Sequence, residues 1–159
     1  HIAGYILNSF KGVIVVINKW DLAEQNLDKE TLTQEVQNRL KFIPYAPICF
    51  TSALQGTGVQ KVVETAITVY NEGKKLTPRG TLERTLQNAL SLHMPPSSKG
   101  LKIHRIYQRS TNPPTFVIFV NNPNLVHFSY KRYLENQIRA EFGFMGNPIN
   151  LIFSRRGGR

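Results

Sequence analysis

The amino-acid sequence predicts an α/β fold in two parts: the C-terminal part of a doubly wound, parallel-sheet domain, then an α+β domain ordered α-β-β-α-β. The first observation is the unbroken apolar run at 13–17, whose β-branched residues are typical of a strand buried on both faces. The second is a further apolar strand at 48–50, separated from the first by a segment of helical periodicity. The third is a shift in charge near residue 76, which divides the chain into 1–75 and 76–159.

The helices of the first part follow from apolar spacing and from residues that begin or end helices. Apolar residues at helical spacing predict a helix within residues 1–10. Asp28 is predicted to cap a second helix that runs to about Leu40, because its carboxylate can accept hydrogen bonds from the first turn. After a turn at 55–58, a third amphipathic helix is predicted, and Gly73 is predicted to end it.

The second part is predicted to contain two helices and three strands. Thr81 is the predicted cap of its first helix, whereas Ser129 and Gly143 are the predicted cap and stop of its second. Apolar runs bounded by proline, asparagine and glycine predict the strands. These strands are predicted at 101–109, 115–120 and 149–153.

A polar cluster, Asn18-Lys19-Trp20-Asp21, follows the first buried strand directly. Open α/β sheets bind ligands at the carboxyl ends of their strands, so this cluster is a candidate site. An ionised aspartate only accepts hydrogen bonds, and guanine offers two adjacent donors, N1–H and the exocyclic amine. Adenine has an acceptor at N1 and would leave the carboxylate unpaired, which is costly. We therefore expect Asp21 to select guanine, with Lys19 along the base and Asn18 tethering neighbouring loops.

Asn18-Lys19-Trp20-Asp21 resembles the guanine-specificity motif Asn-Lys-x-Asp of the GTP-binding G domains, which have a P-loop-type fold. Residues 47–54 resemble the next strand of such a domain and its terminal Ser-Ala loop. The resemblance implies that backbone amides of this loop contact the guanine oxygen. The implied guanine-binding residues are Asn18, Lys19, Asp21, Ser52 and Ala53. The alternative is an ordinary turn in which Asn18 and Asp21 stabilise the local backbone.

Several motifs for phosphate chemistry are absent from the sequence. It contains no Gly-x-x-x-x-Gly-Lys-Ser/Thr phosphate loop, no Asp-x-x-Gly switch motif and no candidate threonine for Mg²⁺. Because phosphoryl transfer requires positioned phosphates and metal, this chain alone is predicted not to hydrolyse GTP and to contain no catalytic residue. We interpret the chain as a fragment of a longer protein, in which GTP or GDP and Mg²⁺ are the expected ligands.

Other compositional features restrict the class of protein. The four histidines lack metal-ligand spacing, so no metal site is predicted. No apolar run approaches the roughly 20 residues of a membrane span, and no membrane association is predicted. Cys49 is the only cysteine and lies within an apolar strand, which fits a reducing compartment.

Positive charge is concentrated in the second part. Residues 76–159 hold twelve Lys/Arg and three Asp/Glu, whereas residues 1–75 hold eight and seven. Such an excess predicts a polyanion-binding surface rather than a merely soluble one. The candidate phosphate contacts are Lys99, Lys102, Arg105, Arg109, Lys131, Arg132, Arg139, Arg155, Arg156 and Arg159. Taken singly, Lys131 and Arg139 are better explained by salt bridges to Glu135, which lies four residues from each.

Aromatic residues of the second part could stack on bases, although at these spacings such rings more commonly belong to the core. They are Phe116, Phe119, Tyr130 and Tyr133. The role of Tyr107, on a basic strand, is left open.

Longer stretches carry a second resemblance. The segments 113–116, 119–123, 127–136 and 142–144 resemble the C-terminal domain of the Der (EngA) GTPases, bacterial ribosome-assembly factors with two consecutive G domains and a terminal KH-like domain. The resemblance implies that residues 1–75 are the end of the second G domain and residues 76–159 a KH-like domain with a basic tail. It further implies a cytoplasmic role in large-subunit maturation, with ribosomal RNA, the large subunit and the preceding G domains as partners.

A Gly-x-x-Gly sequence at 143–146 matches the RNA clamp of KH domains. The clamp belongs between two helices, whereas this match falls between a predicted helix and a predicted strand. We therefore interpret it as a helix stop followed by a turn. The basic face, the sheet and an interdomain contact stay open as functional surfaces.

Two functions are consistent with the sequence. In the first, the parent protein is a GTPase whose nucleotide state alters how its KH-like domain meets ribosomal RNA. In the second, the chain is a stand-alone basic RNA- or ribosome-binding module without nucleotide function. An unrelated α/β protein would require every later match to be accidental.

Overall fold

The computed structural model describes residues 9–95 and 100–155, which form an α/β structure of two compact units. The first unit comprises His1–Gly73 together with Met145–Pro148, and the second comprises Lys74–Phe144 together with Ile149–Arg159. Met145–Pro148 thus differs from the sequence-based division, which assigns it to the second part. The helix predicted within residues 1–10 lies almost entirely outside the described residues.

The first unit alternates strands and helices. Its two strands pair in parallel, with Ile17 opposite Phe50. The second helix ends at Gly73, as predicted. The elements are β1 (Val15–Ile17), α1 (Lys29–Arg39), β2 (Ile48–Phe50) and α2 (Val59–Gly73).

Strand β1 differs from the prediction of a longer strand buried on both faces. Val13 lies before the strand, and its N–H donates to the carbonyl oxygen of Gly146 at 2.8 Å. Val16, in the middle of the strand, is 45% exposed. Within the part of the chain that the structure describes, β1 pairs with β2 alone, so one edge and part of one face lack the neighbours that a central strand would have.

Helix α1 begins with the predicted cap. The Asp28 carboxylate accepts hydrogen bonds from the Thr31 N–H at 2.8 Å and from the Thr31 hydroxyl at 3.1 Å. These bonds, the backbone one foremost, lower the pKa of Asp28. Because the carboxylate form is favoured in the folded chain, this stabilisation is present at neutral pH and is lost as pH falls through the lowered pKa.

The second unit has the predicted order α-β-β-α-β. Its three-stranded sheet is ordered β3-β4-β5, with β3 antiparallel and β5 parallel to the central strand. The central strand coincides with the predicted 115–120. The elements are α3 (Arg79–Leu92), β3 (Ile103–Ser110), β4 (Thr115–Val120), α4 (Phe128–Phe142) and β5 (Asn150–Arg155).

Both helices of this unit pack on one face of the sheet. Leu82 and Leu86 of α3 and Leu134 of α4 are each at most 3% exposed, and they share a core with Phe116 and Ile118 of β4. Full burial of each such side chain is worth roughly 1.5–3 kcal/mol. The residues that alternate with these core residues along each strand point to the opposite face of the sheet.

Two predicted caps of this unit were wrong. Helix α3 begins after Pro78 rather than at Thr81, because Pro78 fixes its own φ at −61° and precedes the first helical turn. Helix α4 is capped by His127 rather than Ser129. The Nδ1 atom of His127 accepts from the Ser129 N–H at 3.3 Å and lies 2.8 Å from the Ser129 hydroxyl.

Two tyrosines of α4 complete the C-terminal end of α3. The Tyr130 hydroxyl donates to the carbonyl oxygen of His93, and the Tyr133 hydroxyl donates to that of Ala89, each at 2.8 Å. The His93 carbonyl follows the last turn of α3, whereas the Ala89 carbonyl also accepts from the His93 N–H at 3.0 Å. Burial, and secondarily the neighbouring Tyr133, raise the pKa of Tyr130 to about 12.

The Gly-x-x-Gly sequence is a helix stop followed by a turn, as predicted. Gly143 caps α4 with φ 85°, and its N–H donates to the Arg139 carbonyl at 2.8 Å. Gly146 has φ 73°, and its N–H donates to the Tyr45 carbonyl at 2.8 Å. A Cβ atom at Gly146 would overlap the side chain of Val69. The backbone conformation and packing at positions 143 and 146 therefore explain both glycines without any contact to RNA.

We expect Gly146→Ala to lower the free energy of unfolding of the first unit by roughly 2–5 kcal/mol, since it combines left-handed backbone with overlap of a buried side chain. Gly56→Ala is the matched control, because Gly56 also has φ 73° but has nothing within 4 Å of its Cβ position. That variant should lose only about 1–2 kcal/mol. Trp20 fluorescence during urea unfolding measures both, and equal losses would contradict the packing of Gly146 on Val69.

We expect Tyr130→Phe and Tyr133→Phe each to lower the free energy of unfolding by about 1 kcal/mol at neutral pH, because each removes one hydrogen bond to a backbone carbonyl. Since the raised pKa of Tyr130 favours the neutral hydroxyl, its contribution is complete below pH 10 and is lost as pH rises toward about 12. Urea unfolding followed by circular dichroism tests this. Tyr107→Phe, on an exposed ring, is the control. It should change neither the free energy of unfolding nor its dependence on pH.

Candidate functional site

The candidate guanine site lies at the carboxyl ends of β1 and β2. The Thr51 N–H donates to the carbonyl oxygen of Ile17, and the Trp20 N–H donates to that of Thr51, both at 2.9 Å. These two bonds continue the parallel pairing past the strand ends. They bring the segment 18–21 against the segment 51–53, as the order of motifs in the sequence predicts.

Asn18 joins the two segments through a single side-chain oxygen. Its Oδ1 atom accepts from the backbone N–H of Ala53 at 3.1 Å and from the hydroxyl of Thr51 at 3.2 Å. The predicted tethering role of Asn18 is therefore confirmed.

Lys19 and Asp21 lie in a tight turn after Asn18. Lys19 has φ 62° and ψ 33°, a left-handed conformation that is uncommon for residues other than glycine. A 3₁₀ turn over Trp20–Leu22 follows directly. Lys19 is exposed and Asp21 is half-buried, so both charged side chains remain available at the edge of the site.

The Ser-Ala loop makes its hydrogen bonds within the protein. The Ser52 N–H donates to the Thr57 carbonyl at 3.0 Å, and the Ser52 hydroxyl oxygen accepts from the Gln55 N–H at 3.3 Å. The Ala53 N–H donates to Asn18. A guanine oxygen at the Ala53 N–H would share that donor with Asn18, and the implied contact of this loop with guanine stays a prediction.

Sequence reasoning missed an aromatic cluster beneath the site. Trp20 is 7% exposed and meets Phe50 edge to face, with ring centroids 4.7 Å apart. The Nζ atom of Lys29 lies 5.5 Å from the Trp20 ring centroid, within the range of a cation–π interaction. The continuous apolar run of β2 offered a signal for Phe50, whereas nothing in the sequence pointed to Lys29.

Residues 9–95 and 100–155 contain neither a candidate metal site nor a candidate membrane span. No group of three or more His, Cys, Asp or Glu side chains there is arranged to hold a metal ion. Over the same residues, no helix has both the length and the apolar character needed to cross a membrane.

The candidate phosphate contacts on the sheet are exposed. Lys102 precedes β3, Arg105 and Arg109 lie on β3, and Arg155 ends β5. Their role in RNA binding stays a prediction. Lys99, Arg156 and Arg159 lie outside the described residues.

The candidate contacts on α4 fall into two groups. Lys131 and Arg132 are exposed. Arg139 is half-buried: its guanidinium donates to the Glu135 carboxylate at 3.2 Å and to the Phe144 carbonyl at 3.0 Å. The predicted salt bridge of Arg139 is thus present, and Arg139 is the weakest candidate for a phosphate contact.

The aromatic residues of the second unit also form two groups, one in the core and one on the other face of the sheet. Phe116 is fully buried and Tyr130 is 7% exposed, both within the core, and Tyr133 packs against that core. Phe119 and Tyr107 lie on β4 and β3 at positions that alternate with core residues. Only this second pair is placed on the face of the sheet away from the helices.

We expect Asn18→Ala to release the Ala53 N–H, so that this amide exchanges its hydrogen about five- to tenfold faster, the equivalent of one lost hydrogen bond of about 1 kcal/mol. Asn18→Asp keeps the accepting oxygen and should keep the protection. Hydrogen exchange followed by NMR at Ala53 makes the measurement, and unaltered exchange in Asn18→Ala would contradict the tether.

Comparison with known proteins matches the second part of the chain to one family. The family described as "KH-domain-like of EngA bacterial GTPase enzymes, C-terminal" matches residues 77–154.

Nearly the whole chain is similar to proteins named GTPase Der. It is 48% identical to that of Caldanaerobacter subterraneus subsp. tengcongensis and 44% identical to that of Thermomicrobium roseum, in each case over 98% of this chain. It is 44% identical to that of Alkaliphilus oremlandii over 99% of this chain. The chain spans only 35–37% of the length of these relatives. The similarity along almost all of its length, together with the matching KH-like domain, shows that the chain belongs to the Der (EngA) family.

Proposed function

We propose that this chain supplies the guanine-recognition part of a GTP-binding ribosome-assembly factor, together with a KH-like domain that contacts ribosomal RNA. The relatives are named as GTPases, and the chain corresponds to about a third of their length. Hydrolysis of GTP is accordingly proposed for the parent protein, in the cytoplasm, and not for this chain alone.

The observation that carries the proposal is the bridge made by Asn18. One side-chain oxygen accepts from both Ala53 and Thr51, which lie 35 and 33 residues further along the chain. Hydrogen bonds of this kind hold the Ser-Ala loop beside the Asn-Lys-x-Asp turn. A base that enters between the two segments would meet a preorganised edge rather than two independent loops.

The residues at this edge have the chemistry that guanine requires. The Asp21 carboxylate would accept from both N1–H and the exocyclic amine, and the exposed Lys19 would lay its aliphatic stem along the base. Ser52 and Ala53 would close the pocket on the oxygen side. Residues for the phosphates and Mg²⁺ are expected in other parts of the parent protein.

The exposed surface of the first unit supports the preceding G domains as partners. Val59, Val63 and Ile67 recur at four-residue spacing on α2 and are 44%, 56% and 56% exposed. Such a contiguous apolar stripe on a helix is typical of a surface that packs against another element.

The first test is a titration of this chain with GDP and, separately, with ADP, followed by the fluorescence of Trp20, which lies inside the motif. We expect a response to GDP alone. Asp21→Asn should weaken GDP binding about ten- to a hundredfold, because the amide loses one acceptor, and hydrogen bonds to charged groups are worth about 1.5–3 kcal/mol. The same variant should gain affinity for xanthosine diphosphate, whose second carbonyl matches the new amide donor.

Glu24→Gln is the matched control, because it removes a charge close to the motif from an exposed side chain. It should leave both titrations unchanged. Equal responses to GDP and ADP, or unchanged base preference in Asp21→Asn, would contradict guanine recognition.

The second candidate is a basic RNA- or ribosome-binding module without nucleotide function. The charge distribution favours it, since residues 76–159 contain twelve Lys/Arg and three Asp/Glu. A chain that responds to neither nucleotide yet binds RNA would support this candidate over the first.

A further inference from the structure

We propose that the sheet of the second unit binds single-stranded RNA on its outer face, with a base stacked on Tyr107 and a phosphate on Arg105. The outer face is defined here by Arg105 and Tyr107 of β3, Val117 and Phe119 of β4, and Ile152 and Ser154 of β5. Its centre is closed, since Val117 is only 4% exposed, so the proposed contacts lie at the β3 edge of this face. The inference deepens the proposed RNA contact and rests on it.

Strand alternation assigns these residues to the face away from the helices. Ile106, Ile118 and Leu151 point into the core with α3 and α4, so their neighbours along each strand point the other way. The register aligns the outer residues in two rows across the sheet. One row is Tyr107, Val117 and Ile152, and the other is Arg105, Phe119 and Ser154.

The aromatic side chains of this face form a stacked pair. The rings of Tyr107 and Phe119 lie 5.8 Å apart between centroids, with an angle of 29° between their planes. The guanidinium carbon of Arg105 lies 5.4 Å from the Phe119 ring centroid. These contacts restrict the rotamers of all three side chains, so a ligand would find a largely preorganised platform.

Tyr107 has the exposure that a stacking residue needs. Its residue exposure is 38%, whereas Phe116, Tyr130 and the other core rings of this unit are buried or committed to hydrogen bonds. In the described part of the sheet, Tyr107 also lies on an edge strand, because β3 pairs only with β4. A base can therefore approach the ring from the edge of the sheet.

Charge complementarity indicates a polyanion as the occupant. None of the residues of β3, β4 and β5 is Asp or Glu, and these strands carry Arg105, Arg109 and Arg155. Adjacent arginines and aromatic rings form the combination with which proteins bind single strands: cations pair with phosphates while rings stack on bases.

The chemistry favours a single strand over a duplex. Bases of a duplex are stacked on one another, so their faces are closed to a protein ring, whereas unpaired bases expose them. An acidic peptide would satisfy the arginines but would give Tyr107 no planar partner. Single-stranded RNA uses both features of the surface.

The experiment measures fluorescence anisotropy of a short labelled single-stranded RNA with this chain. A duplex RNA of the same length and a polyglutamate peptide serve as competing ligands. Tyr107→Ala should weaken single-strand binding about tenfold and leave the salt dependence unchanged, because stacking releases no counterions. Arg105→Gln should reduce the slope of log affinity against log salt by roughly 0.7, the value for one phosphate contact on a single strand.

Two variants control for folding and for general aromatic loss. Tyr107→Phe keeps the ring and should keep most of the affinity. Phe128→Ala removes an aromatic ring of α4 that is 71% exposed and outside the outer face, and it should bind like the parent chain. Circular dichroism checks that each variant is folded.

The outcomes separate this inference from the proposed function. A chain that binds no RNA would overturn both. Tight RNA binding that Tyr107→Ala leaves unchanged would overturn the stacking site alone and would favour the α4 surface. If Tyr107→Ala weakens the binding of duplex RNA as much as that of single-stranded RNA, base stacking is excluded. If it weakens the binding of polyglutamate equally, the ligand is an acidic protein surface.

Discussion

The parallel pairing of β1 with β2 is the constraint on which the candidate guanine site depends. Both strands have only three residues, yet their register aligns Ile17 with Phe50 and so makes the two strand ends level. The polar segments 18–21 and 51–53 that follow the strands are therefore adjacent, and a hydrogen bond from the Ala53 N–H to Asn18 joins them. A slip of one residue would turn each side chain to the other face and separate Asn18 from Ala53. The arrangement of the candidate site is thus determined by backbone pairing.

The two faces of the sheet in the second unit differ in composition. One face is covered by two helices and contains most of the large apolar residues. The other face has no acidic residue and carries an arginine beside two aromatic rings. The core therefore lies on one face of the three strands, and the proposed RNA contact lies on the other. Tyr107 and Arg105 are not among the residues of that core.

Much of this architecture follows from local sequence signals. The strand at 115–120, the cap at Asp28 and the helix stops at Gly73 and Gly143 were predictable, because each depends on adjacent residues. The tether by Asn18 was also predictable, from the chemistry of its motif.

Features that depend on tertiary contacts were not predictable in the same way. His127 caps α4 in place of Ser129, although serine has the stronger general preference. The placement of Lys29 near Trp20 depends on side-chain positions that spacing does not encode. The membership of Met145–Pro148 in the first unit had no local signal at all.

Met145–Pro148 has a consequence for the order in which the chain can complete its structure. The carbonyl oxygen of Gly146 accepts from Val13, its N–H donates to Tyr45, and the Asn147 amide donates to the Val69 carbonyl at 2.7 Å. Domains usually fold in sequence as they leave the ribosome, the N-terminal one first. Here the first unit acquires its last backbone partners only after most of the second has been translated. Separating the two parts at residue 76 would therefore yield a first unit that lacks the hydrogen bonds from Met145–Pro148 to Val13, Tyr45 and Val69.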